Sequence, residues 1–91
     1  MWEGGNTLAV VPHPIRRCAD VLTRSERPRT TSVRIYNALG QTVETLHEGF
    51  LRPGRHVWRW CPGQDGLAAG TYFIVDSSLS TAGVAKATVL Y

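Results

Sequence analysis

The side chains able to do chemistry are few and scattered. Cys18 and Cys61 are the two cysteines, far apart in the chain. In an oxidising compartment they could pair, and closing a loop of that length would stabilise by about 4 kcal/mol on chain-entropy reasoning. The plainer reading is two separate thiols. His13, His47 and His56 have no Cys, His, Asp or Glu at the spacing of a structural zinc site. His56 alternates with Trp58 and Trp60, which makes it a strand residue rather than a ligand. Ser77, Ser78 and Ser80 lie in a polar loop without a nucleophile elbow. Cys61 precedes a proline in a turn. Asp65 and Asp76 fall in turn segments, where aspartates hydrogen-bond their own backbone. The expectation is a chain that is not an enzyme and holds no cofactor and no metal. The aromatic residues Trp58, Trp60, Tyr72 and Phe73 could make a sugar-stacking platform, but burial in a core is the better use of two indoles.

Charge narrows the partners. The net charge is +3, and nine of the ten basic residues are arginines, Lys86 being the only lysine. The arginines are dispersed among seven acids, with no run of like charge. Phosphate-backbone binding gains from many cations acting together, so no nucleic-acid partner is expected. No apolar run approaches 18 residues, so no transmembrane segment is expected. Met1-Trp2-Glu3-Gly4-Gly5-Asn6 has neither the basic nor the apolar region of a signal peptide.

The elements that must position these residues are short strands. Val33-Arg34-Ile35-Tyr36 alternates with the period of a half-buried strand. Asn37-Ala38-Leu39-Gly40 breaks it, and alternation resumes at Val43 and Thr45, expected on one face. Two strands alone are marginal in water, so further strands must cover this hairpin. Leu8–Val11 is a first strand, stopped by Pro12-His13-Pro14, with Ile15 plugging back into the core. Ala19–Ser25 is a second, followed by a polar loop through Arg29. His47–Gly54 reads as a loop closed by Pro53-Gly54, a type II turn signal. Arg55–Trp60, Thr71–Val75 and Val84–Tyr91 complete the set, with a Ser-rich loop from Asp76 to Gly83. Seven strands with turn signals every eight to twelve residues, and no helical period, predict an all-β, seven-stranded antiparallel sandwich of immunoglobulin type. A small barrel is the alternative. Residues 1–7 read as a linker or frayed lead-in and 8–91 as one domain. The expected core is Val33, Ile35, Leu39, Val43, Leu46, Trp60, Tyr72 and Ile74, with Gly40, Gly54 and Gly70 at constrained backbone positions.

Four segments in order carry a family resemblance. Pro12-His13-Pro14-Ile15 after the first strand is similar to a Pro-Asn-Pro-Phe motif, with His13 and Ile15 as departures. Tyr36, Gly40 and Val43 lie in a stretch similar to a signature strand–turn–strand. Gly54, His56 and Trp60 match a Gly-x-His strand ending in Trp. Leu67-Ala68-Ala69-Gly70-Thr71-Tyr72 matches Leu-x-x-Gly-x-Tyr, giving Gly70 and Tyr72. From Leu8 onward the chain resembles the type A C-terminal sorting domain of type IX secretion cargo proteins. It is similarly close to the immunoglobulin-like domain of the flagellar hook-capping protein.

The resemblance implies a monomeric module of a longer exported protein, without catalytic residues. Its partners would be outer-membrane secretion machinery and surface lipopolysaccharide, and its destination the cell surface or the medium. The signal peptide absent here would belong to the start of the longer precursor. The recognition strand is expected around Lys86, Val89, Leu90 and Tyr91, because sheet edges offer unpaired backbone groups. The alternative is a structural or carbohydrate-binding surface module displaying Trp58.

Overall fold

A computed structural model describes residues 7–79 and 83–91. The expected lead-in before Thr7 and the loop residue Ser80 lie outside the described residues. The chain forms seven strands: β1 (Thr7–Val11), β2 (Ala19–Ser25), β3 (Arg29–Asn37), β4 (Thr42–Leu51), β5 (Gly54–Trp60), β6 (Gly70–Asp76) and β7 (Val84–Val89). They make two antiparallel sheets, ordered β1-β2-β5 and β4-β3-β6-β7. The predicted all-β sandwich is therefore the observed fold. In immunoglobulin constant domains the fourth strand lies beside the fifth; here β4 has crossed to pair with β3. Among the described residues no helix is long and apolar enough to cross a membrane.

Period-two patterning sets the interior. Ala19 and Val21 of β2, Val33 and Ile35 of β3, Tyr72 and Ile74 of β6, and Ala87 and Val89 of β7 point inward and are buried. Trp60 of β5 is 1% exposed and meets the Tyr72 ring edge-on, 5.5 Å between centroids. That contact joins the two sheets, since β5 and β6 belong to different ones. Trp58 shares the inward face with Trp60 but is only half-buried, while Val57 faces out.

Ile15 does plug back. After β1 the chain passes through Pro12 and Pro14, both preceded by cis bonds, and crosses to the edge of β7. There Ile15 donates its N–H to the Thr88 carbonyl (2.8 Å) and accepts from the Leu90 N–H (2.8 Å). Its side chain is fully buried. One residue thus stitches the first sheet's chain to the second sheet.

Three expectations are corrected. Leu39, expected in the core, is 85% exposed at the tip of the β3–β4 turn. Asn37 organises that turn, its Oδ1 accepting from the N–H of Leu39 and of Gln41, both 3.0 Å. Gly40 supplies the left-handed φ of +85°. Leu39 is left beyond the end of the sheet, where no second layer can reach it. The expected loop at 47–54 is largely strand: β4 runs to Leu51, pairing Thr30 with Phe50 and Ser32 with Glu48, while the loop before β3 holds from residue 26 to 28 and gives way to strand at Arg29. Lastly, Val43 and Thr45 do not share a face. The β3–β4 register slips twice, skipping Val43 and Leu46. At each β-bulge two residues oppose one. Val43 and Glu44 are both half-buried, as are Leu46 and His47, while Thr42, Thr45 and Glu48 are exposed.

Cys18 and Cys61 are bonded, against the plainer expectation of two thiols. The register explains the meeting. β2 and β5 pair up to Ala19 and Trp60, so the next residue on each strand is a cysteine. Their Cα atoms are 4.1 Å apart.

Two stability outcomes follow. Trp60→Ala lowers unfolding free energy by about 3–5 kcal/mol in a denaturant melt. Reducing the disulfide lowers it by about 4 kcal/mol, read by the same melt with and without reductant.

Candidate functional site

The residues singled out by the resemblance do not converge on one site. They divide between the core and the two ends of the sandwich. Pro12 and Pro14 are exposed and carry the crossing to β7. His13 accepts the Thr88 N–H at its Nε2 (3.1 Å), so this short segment covers one stretch of the β7 edge. Tyr36 is half-buried on the outer face of the four-stranded sheet, paired in register with Phe73. Gly40, Gly54 and Gly70 all have positive φ, at +85°, +116° and +151°. Gly54 closes the β4–β5 turn, where a side chain would strain the backbone.

Gly70 precedes a closed corner. The Tyr72 hydroxyl donates to the Ala68 carbonyl at 2.6 Å, four residues upstream. This is the tyrosine corner common in immunoglobulin-type sandwiches. It fixes the loop from Cys61 to Ala69 against β6. Trp60 lies beneath it, its Nε1 without an acceptor among the described residues. Val43 is half-buried against the core.

His56 occupies the open side of the sandwich. It stacks on Trp58 at 6.1 Å and 14°, and its Nε2 lies 2.7 Å from the Arg52 carbonyl. His47, turned inward by the second bulge, packs at 5.7 Å against the same indole. Trp58 is therefore enclosed between two imidazoles rather than displayed as a platform. The first bulge turns in Glu44. Burial pushes its carboxyl above the usual glutamate range, and the charge of Asp65 and a hydrogen bond with it add to the rise.

The expected recognition strand is partly engaged. β7 is an edge strand, but it ends at Val89, with Leu90 and Tyr91 beyond it. The outward N–H of Thr88 goes to His13, its outward carbonyl to Ile15, and the Leu90 N–H to Ile15. Val89 is fully buried. By the alternation of antiparallel pairing, Lys86 presents its backbone groups on the same outer edge as Thr88. Lys86 is exposed, a charge where edge strands commonly carry one. Tyr91 turns to the disulfide end, its hydroxyl donating to the Leu67 carbonyl at 2.9 Å.

One polar centre escaped sequence reasoning. Asp76 is fully buried at the end of β6, ion-paired with Arg29 Nη1 at 2.8 Å. The hydroxyl of Thr31 also donates to Asp76, as do the N–H and hydroxyl of Ser78. Arg29 Nε donates to Ser25 Oγ at 3.0 Å, so β2, β3 and β6 meet there. Burial by itself would raise the Asp76 carboxyl; the hydrogen bonds from Thr31, Arg29 and the Ser78 backbone, with the Arg29 charge, outweigh it and hold the carboxyl below the usual aspartate range. A signal was present. Tyr72, Ile74 and Asp76 share one strand face, so the aspartate had to point inward. Among the described residues no three His, Cys, Asp or Glu side chains converge as a metal site would need.

Searches against protein-family models, curated proteins and solved structures find no match to the chain.

Two outcomes follow from the charged groups. Asp76→Asn leaves Arg29 without its counter-ion and costs about 3–5 kcal/mol at pH 7. Because the folded carboxyl is held low, that stabilisation is present above the unfolded aspartate pKa and lost as pH falls through the folded value. The stability gap between the native chain and the variant therefore narrows on acidification, measured by urea melts from pH 7 downward. Glu44 has the opposite sign. Its folded carboxyl is raised, so it favours the folded state less as pH rises through that window. Glu44→Gln raises the melting temperature at pH 7, and the gain disappears below about pH 4.

Proposed function

We propose that this chain is a non-catalytic, exported sandwich module that acts as a sorting domain, carrying an attached protein across the outer membrane to the cell surface or the medium. The observation that carries the export half is the Cys18–Cys61 disulfide, a bond that persists in oxidising compartments and is rare in a reducing cytosol. The sorting half rests on the resemblance to type IX cargo domains. It is supported by the roles of the matched residues: Trp60 and Tyr72 join the sheets, and Gly40 and Gly54 shape turns. Residues of this kind specify a shape, and a tag needs a shape to be read by. The partners would be outer-membrane secretion machinery and, after passage, surface lipopolysaccharide.

The open stretch of β7 around Lys86 is the segment we assign to recognition. Added strands bind through backbone hydrogen bonds at such edges. A second reading, a carbohydrate-binding surface module, draws on Tyr36 and Phe73, register partners on an outer face. Trp58 is a poorer candidate for it, held as it is between His47 and His56.

The deciding experiment fuses the chain behind a reporter that carries its own signal peptide, in a bacterium with a working type IX system. Reporter should reach the surface or medium. Lys86→Pro removes the outward N–H without breaking a ladder bond to β6, and should trap the reporter in the periplasm with the domain folded. If the native fusion also stays in the periplasm while the host still exports its own cargo, the sorting reading fails.

A further inference from the structure

An open cavity of about 530 Å3 lies at the disulfide end of the sandwich, with Arg16, Arg17, Arg59, Gln64 and Tyr91 around the Cys18 half of the disulfide. Its volume falls within the range of small-molecule sites. We propose that it binds a phosphomonoester, the phosphate held by Arg16, Arg17 and Arg59 and the organic body resting against Tyr91.

Charge is the first argument. Three arginines line one cavity. The acid closest to hand is Asp20, a loose partner 3.8 Å from Arg59 with both side chains largely in solvent. Asp65, on the neighbouring loop, is engaged with Glu44. Arg16 and Arg17 make no ion pair among the described residues. Two consecutive cationic residues at the cavity are thus left without a counter-ion among the described residues. Guanidinium forks match the oxygens of a phosphate in pairs, which an ammonium cannot do.

Preorganisation is the second. Arg16 and Arg17 are held between two fixed points. Ile15 is buried and hydrogen-bonded to β7 on one side, and Cys18 is covalently bonded to Cys61 on the other. Arg59 is on β5, two residues before Cys61. The backbone under all three is therefore ordered before any ligand arrives, and little further ordering is charged against binding. Tyr91 is positioned by its hydroxyl bond to Leu67, which leaves 61% of the residue accessible at the cavity wall. Gln64 adds a neutral amide that can donate to a phosphate or a hydroxyl. This inference stands apart from the sorting role and survives its failure.

The test is an amide NMR titration of the full chain at fixed ionic strength with glucose 6-phosphate, inorganic phosphate and glucose. The expected result is saturable shifts at Gly63, Gln64 and Tyr91 with both phosphates and none with glucose. Tighter binding of the sugar phosphate supports the organic subsite at Tyr91. Equal affinity for the two overturns that subsite. The double variant Arg16→Gln, Arg17→Gln should weaken binding about tenfold or more while its amide spectrum stays folded. Arg55→Gln, equally exposed on the same sheet but outside the cavity, should leave it unchanged. No saturable shift with either phosphate, or the same loss in Arg55→Gln as in the double variant, overturns the proposal.

Discussion

The edge-on contact between Trp60 and Tyr72 is what makes two sheets one domain. Each ring belongs to a different sheet, and each is buried. Around that pair the smaller side chains Val21, Val33, Ile35 and Ile74 fill a single interior. Of the two polar side-chain atoms in the pair, the Tyr72 hydroxyl is the one with a partner among the described residues, and by reaching Ala68 it pins the long β5–β6 connection. A core of this size has little redundancy. The two covalent and backbone staples, Cys18–Cys61 and Ile15 on β7, both lie at the same end as this connection.

The opposite end is held differently. There Arg29, Thr31 and Ser78 donate hydrogen bonds to Asp76, and Arg29 donates a further one to Ser25. A buried ion pair is weak evidence of stability by itself, because desolvation offsets much of the attraction. Its effect is on register. Asp76 Oδ1 gains its partners only when β3 and β6 are aligned so that Val33 faces Asp76 and Arg29 reaches back, while Oδ2 has no partner among the described residues. A slip by one residue would turn the carboxylate toward solvent and an apolar row with it.

What could be read from the sequence follows the reach of each signal. Strand identity came from period-two alternation and turn residues, both local, and these placed five of the eight expected core residues on the inner face without difficulty: Val33, Ile35, Trp60, Tyr72 and Ile74. Val43 and Leu46 pack against them for a different reason, since each sits at a bulge. Leu39 failed because hydrophobicity says nothing of whether a second layer extends over a turn. The bulges in β4 were illegible for the same cause: an extra residue shows only against its partner strand. The disulfide needed the β2–β5 register, and the Arg29–Asp76 pair joins residues far apart in the chain. The arginine-lined cavity is the clearest case. Arg16 and Arg17 are adjacent in the chain, but Arg59 is far from them in sequence and comes to the same cavity only when β2 and β5 pair.

The bond between Cys18 and Cys61 also has a topological meaning. It closes a ring of chain that contains the whole of β2, β3, β4 and β5. A closed ring cannot be drawn through a narrow pore as one extended thread; two strands of backbone must pass side by side, or the whole domain must pass with its shape intact. Any conduit this module crosses after oxidation must therefore be wide enough for a folded body, and a conduit that admits only an unfolded chain must act before the two sulfurs meet.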